Sequence, residues 1–167
     1  MFNLTELALF PFTFLALAGS SLMAGIFFTF SNFVMKALKE IPFPAGMKAM
    51  QSINRVVLNP FFLGLFFITA VLAFILAIKS FTQWQQPYAT YTFTASLFYF
   101  IGTFLVTAIK NVPLNNKLAS IPVENKFAES SWQAYLYKWT RWNHVRTISS
   151  LAATVLYTPG FVYIATN

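Results

Sequence analysis

Formal charge is absent from four long stretches of this chain, 7–34, 56–78, 80–109 and 147–167. With 57% of residues hydrophobic and 9% charged, one soluble core would have too little polar surface to cover it. Lipid is the better solvent. A membrane span takes about 20 residues at a rise of roughly 1.5 Å each. The runs therefore predict four transmembrane helices near 7–30, 60–78, 88–109 and 147–165, in a single membrane domain covering 1–167. The expected fold is all-α: an integral membrane four-helix bundle with short interfacial amphipathic helices in two of its connections. The apolar start lacks a basic n-region and runs on through Phe30, which reads as a retained first span.

A net charge of +7 would suit nucleic acid, but its placement argues for another cause. Apart from Lys79, every Lys and Arg falls between the first two spans (Lys36, Lys39, Lys48, Arg55) or between the third and fourth (Lys110 to Arg146). Alternate connections share a side. The positive-inside rule then puts both in the cytoplasm and both termini outside it, with the membrane rather than nucleic acid as partner.

Along the first span Ala18, Gly25 and Asn32 recur at seven-residue spacing beside Ser21, which predicts a helix-packing stripe with Asn32 turned inward. Association of two copies through such a stripe is open. Ile41-Pro42-Phe43-Pro44 breaks the chain, and from Gly46 the residues Met47, Met50, Ile53 and Val57 share a face, as in a surface helix. Asn59-Pro60 reads as a helix cap and first turn. Thr92, Ser96, Tyr99, Thr103 and Thr107 lead down the third span to Asn111 and read as inter-helix glue, with Pro113 as a stop. Trp84, Tyr88, Tyr91, Tyr157 and Tyr163 are expected to form an outer aromatic belt. In 132–147 the period of Trp132, Tyr135, Trp139 and Trp142 or Asn143 predicts an interfacial helix entering the fourth span. There Asn143, Thr147, Ser150, Thr154 and Tyr157 share a face, with Arg146 at its edge.

Six amides (Asn32, Asn54, Asn59, Asn111, Asn115 and Asn143), with His144 and Arg146, map to the basic ends of the four spans. In an antiparallel bundle these ends meet, so the groups are candidates to line one pocket for a hydrophobic small molecule or lipid, roofed by Trp139 and Trp142. Taken singly, each has a plain structural use: an arginine there snorkels, an interfacial histidine is solvated, an amide caps. Without cysteine, and with one histidine and four scattered glutamates, no metal ligand set is visible. There is no nucleotide-binding loop and no bis-histidine haem, so no cofactor is expected. The chemistry left is that of a lone imidazole, His144 as base, with Arg146 facing a developing oxyanion.

Four segments taken in order, Phe28-Thr29-Phe30-Ser31-Asn32-Phe33-Val34-Met35, Met50-Gln51-Ser52-Ile53-Asn54 with Asn59-Pro60, Asn111-Val112-Pro113-Leu114-Asn115, and Trp139-Thr140-Arg141-Trp142-Asn143-His144-Val145-Arg146-Thr147, resemble the anthrone-oxygenase family. These are small four-span membrane proteins, many of them bacterial, so a bacterial plasma membrane is the expected location. The resemblance implies oxidation of an anthrone to an anthraquinone by dioxygen with no established cofactor, as in the fungal polyketide members. On that reading His144 takes the substrate proton, Arg146 and Asn143 hold the enolate oxygen, and Trp139 and Trp142 stack on the rings, so that loss of His144 abolishes turnover. The competing expectation is a non-catalytic membrane protein that binds a lipid, a hydrophobic ligand or a partner protein.

Overall fold

The computed structural model describes residues 9–166, so Leu7 and Ala8 of the predicted first span lie outside the described residues. Within that range every regular element is helical. Helix α1 runs Leu9–Glu40, α3 Pro60–Thr82, α4 Ala89–Ala119 and α5 Ala128–Thr166, and these four are long and apolar enough to cross a membrane. Helix α2, Phe43–Val56, is the amphipathic segment expected after the proline break. It buries Met47 and Met50.

Spans one, three and four continue well past their predicted ends, because the basic connections are themselves largely helical. At its 39 residues α5 is about 58 Å long. That exceeds a hydrocarbon core of about 30 Å, so the tryptophan-rich part of α5 stands beyond it. Pro113 does not stop α4. Just ahead of it, Thr107–Asn111 forms a wider turn in which the Val112 N–H reaches back to the Thr107 carbonyl. Re-routing the bonds there accommodates a ring that has no N–H to give. A second wide turn, Phe30–Val34, closes through the Met35 N–H and the Phe30 carbonyl in α1.

Helix α1 packs most extensively along α5, and α4 lies against both α3 and α5. The buried face of α1 is Thr13, Ala16, Ser20, Met23 and Phe27, at helical spacing. The small-residue stripe expected from the sequence is not the packed one: Ser21, Gly25 and Asn32 are exposed. Another set of small residues is packed, Ala16, Gly19, Ser20 and Ala24 beside Met23 and Phe27, and a Cβ on Gly19 would overlap Thr69 of α3. The hydroxyl stripe of α4 does serve as glue. Ser96 Oγ and Tyr157 Oη lie 2.9 Å apart, and Thr103 Oγ1 and Ser150 Oγ 2.8 Å apart, both pairs fully buried. Gly102 of α4 sits so close to Ser149 that a Cβ there would overlap its side chain. At the end away from the basic connections Trp84 and Tyr91 are exposed as belt residues, but Tyr88 and Tyr157 are buried. Tyr157 is turned inward by its bond to Ser96.

Candidate functional site

Helix phase decides which of the candidate residues meet. Trp139, Asn143 and Arg146 stand at i, i+4 and i+7 of α5, one face, and all three are buried. The Asn143 amide donates to the Phe27 carbonyl and to Ser31 Oγ, each at 2.7 Å, which ties α5 to the wide turn of α1. Its Oδ1 accepts from Arg146 Nη2 at 2.7 Å, while Arg146 Nη1 donates to Thr107 Oγ1 at 3.3 Å, beside the wide turn of α4. The guanidinium lies 4.3 Å from the Phe27 ring centroid and 5.0 Å from that of Trp139. Of the three wide stretches among the described residues, Phe30–Val34, Phe98–Leu105 and Thr107–Asn111, the first reaches this arginine through Asn143 and the last through Thr107.

Arg146 is 5% exposed, and no Asp or Glu is buried among the described residues. The ion pair those residues do form, Lys48 with Glu124 at 4.0 Å, lies on the surface. The cation is held by neutral partners alone. Arg146 Nε and Trp139 Nε1, both buried donors, have no hydrogen-bond partner. A buried charge without a counter-ion is costly in place.

That cavity measures about 290 Å³ and is bounded by Phe27, Phe30, Phe62, Phe66, Phe104 and Trp139. Arg146, Thr107, Asn54 and Asn115 give it a few polar points. Ligand pockets start at about 300 Å³, so the space suits a compact ring system better than an extended chain. Asn54 and Asn115 are joined through Tyr135, whose hydroxyl donates to Asn115 Oδ1 at 2.9 Å and accepts from Asn54 Nδ2 at 3.3 Å. Asn111 is buried behind Trp139, donating to its carbonyl at 3.3 Å. Tyr135 also stacks between Trp132 and Trp139, centroids 5.8 and 6.1 Å away, and makes the indole a rigid wall. Among the described residues no three of His, Cys, Asp and Glu come together. The donors available are guanidinium, indole, amide and hydroxyl, a set suited to an organic oxygen.

Four candidates lie elsewhere. His144, two residues from Arg146 and so about 200° round the helix, is exposed and lines a separate groove with Lys36, Lys39 and Arg141. Trp142 lies outside the cavity with Lys110 Nζ 5.0 Å over its ring. Asn32 is exposed: Ser31, one turn after Phe27 on the buried face, is the residue that meets Asn143. Asn59 caps α3, its Oδ1 accepting from the Phe62 N–H at 3.0 Å. Asn59→Ala is expected to cost about 1 kcal/mol of stability with no change in ligand binding at the cavity, checked by thermal unfolding and ligand titration of the same sample. Ser31, Thr107, Tyr135 and Phe27 join the site without having been candidates. Thr107 and Tyr135 already stood in the polar and aromatic periods.

The family model described as Anthrone oxygenase matches residues 50–156, which takes in the second half of α2, all of α3 and α4, and α5 as far as Leu156. The chain belongs to the anthrone oxygenase family. Comparison with curated proteins and with solved structures gave no match. Within this anthrone oxygenase family member the matched segment carries Asn54, Thr107, Asn115, Trp139, Asn143 and Arg146. The α1 wall of the cavity, Ile26, Phe27 and Phe30, precedes it.

Proposed function

We propose that this protein is a membrane-bound oxygenase that takes a compact, hydrophobic anthrone-like or quinol-like aromatic from lipid and oxidises it with dioxygen. The observation that carries the reading is the buried, unpaired guanidinium of Arg146 against an aromatic cavity in an anthrone oxygenase family member. An anthrone carbon flanked by two rings loses a proton to give an enolate. Arg146, with the Trp139 N–H beside it, stabilises the oxygen on which that charge gathers, and the low-polarity walls strengthen the attraction. The proton passes to water, since no carboxylate or imidazole among the described residues lines the cavity. The electron-rich carbon then reduces dioxygen and captures it as a hydroperoxide. Loss of water leaves one oxygen atom on carbon as the new carbonyl, and the other departs in that water with the second methylene hydrogen and a proton returned from solvent. Substrate and O2 give quinone and H2O in equal amounts. The rings of Phe27, Phe66 and Trp139 hold the substrate by stacking and edge contact.

Oxygen uptake by membranes containing the protein, with a panel of anthrones, hydroquinones and naphthols, tests this. Uptake matched one-to-one by quinone formation is expected for the anthrones. No uptake above empty membranes, with ligand still bound, would instead favour a non-catalytic binding protein. His144→Ala is expected to leave turnover within about twofold, contrary to what the family resemblance implied, because the imidazole is on the other side of α5. A loss of about a hundredfold, the scale of general-base catalysis, would restore it to the reaction.

A further inference from the structure

On the side of α5 away from Arg146, helices α1 and α5 leave an open groove of about 550 Å³. Lys36 and Lys39 stand on its α1 wall and Arg141 on its α5 wall, with Met35 and Leu136 as buried apolar flooring. Arg141 is set in place: its Nη1 donates to Tyr137 Oη at 3.0 Å, and its guanidinium lies 5.3 Å over the same ring. No carboxylate lines the groove, and none of the three cations forms an ion pair among the described residues. Like charges gathered on both walls of one groove repel each other unless an anion sits between them.

What continues from the groove toward the apolar part of the bundle identifies the anion's other half. Above the cations α1 and α5 are stitched by Ser31 with Thr147 at 2.9 Å and Ser21 with Thr154 at 3.5 Å. Between those two stitches Gly25 leaves open space, with nothing within 4 Å of where a Cβ would be. Ile148 and Val155, 66% and 67% exposed, offer an apolar edge on α5. Asn32 is exposed one turn before Lys36 in α1. A phosphodiester that carries acyl chains meets every one of these features. Its oxygens face Lys36, Lys39 and Arg141, its glycerol ester lies at the height of Asn32, and a chain runs over Gly25 against Ile148 and Val155.

We propose that the groove between α1 and α5 binds the headgroup of an anionic glycerophospholipid from the leaflet at the basic end. The site is separate from the Arg146 cavity and does not depend on what that cavity does.

Native mass spectrometry of the detergent-purified protein with equal phosphatidylglycerol and phosphatidylcholine tests it. The unmodified protein is expected to retain phosphatidylglycerol at least about tenfold over phosphatidylcholine, each nearby cation strengthening attraction to an anionic lipid about fivefold. The triple variant Lys36→Gln, Lys39→Gln, Arg141→Gln is expected to lose that preference. Lys110→Gln, Lys117→Gln, Lys126→Gln removes as much charge elsewhere and is expected to keep it. Equal loss in the two triple variants would mean bulk charge alone and overturn the proposal. Displacement of the lipid by millimolar inorganic phosphate would also overturn it, since the groove would then read the phosphate without the chains. A photoactivatable phosphatidylglycerol on the unmodified protein is expected to label 25–39 and 133–155, and labelling confined to other segments would refute the location.

Discussion

Arg146→Met is expected to lower anthrone-dependent oxygen uptake by about a hundredfold to a thousandfold, the usual cost of removing one oxyanion donor. Stability is expected to move by less than about 2 kcal/mol, because two effects oppose one another. The substitution removes a buried cation that has no carboxylate partner, which is favourable. It also orphans Asn143 Oδ1, which now accepts from Arg146 at 2.7 Å, and that is unfavourable. A large loss of turnover at nearly constant melting temperature is what a recognition charge predicts, since its cost to the fold is borne for the sake of the ligand. Oxygen uptake and thermal unfolding on the same preparation measure both. Unimpaired uptake would remove Arg146 from the reaction. A melting point lowered by more than about 10 °C would instead make the arginine a structural strut. Arg146→Lys is expected to fall between, because an ammonium cannot keep the Asn143 and Thr107 bonds and face a ligand oxygen at once.

The bundle itself was legible because charge-free runs and proline breaks are read at low resolution: the spans, the amphipathic α2 and the Asn59 cap need no knowledge of helix phase beyond one turn. The site needs it. Trp139, Asn143 and Arg146 are related by helical spacing and lie together, whereas Trp142 and His144, their neighbours in sequence, are carried round the helix to other surfaces. Closeness along the chain was misleading where periodicity would have served. In α1 the period was read from the wrong stripe. Ser31 follows Phe27 by one turn on the buried face and meets Asn143 with it, whereas Asn32 follows the exposed Gly25 by two turns and stays exposed with it. Small residues alone did not tell the packed face from the open one. Thr107 and Tyr135 were visible but ambiguous: a threonine on a membrane helix bonds its own backbone whether or not it serves a ligand, as Thr107 does with the Thr103 carbonyl at 2.7 Å.

Asn143 ties these elements together, and it should carry the largest stability effect in the molecule. Asn143→Leu keeps the volume but takes a donor from the Phe27 carbonyl and from Ser31 Oγ, which keeps Thr147, and leaves Arg146 Nη2 without its acceptor. Each buried unpaired group costs about 1–3 kcal/mol, and the charged one most. A loss of about 3 kcal/mol or more is therefore expected by denaturation in mixed micelles, with oxygen uptake falling as the guanidinium loses its orientation. The origin of that loss is separable. If most of it is the stranded cation, adding Arg146→Met should return about 1–3 kcal/mol, so that the double variant is more stable than Asn143→Leu alone. If most of it is the loosened tie between α1 and α5, the second substitution should return nothing, because the Asn143 bonds to Phe27 and Ser31 are still missing. A double variant no more stable than the single would locate the role of Asn143 in joining helices and leave Arg146 held in place by Thr107 and the two aromatic rings.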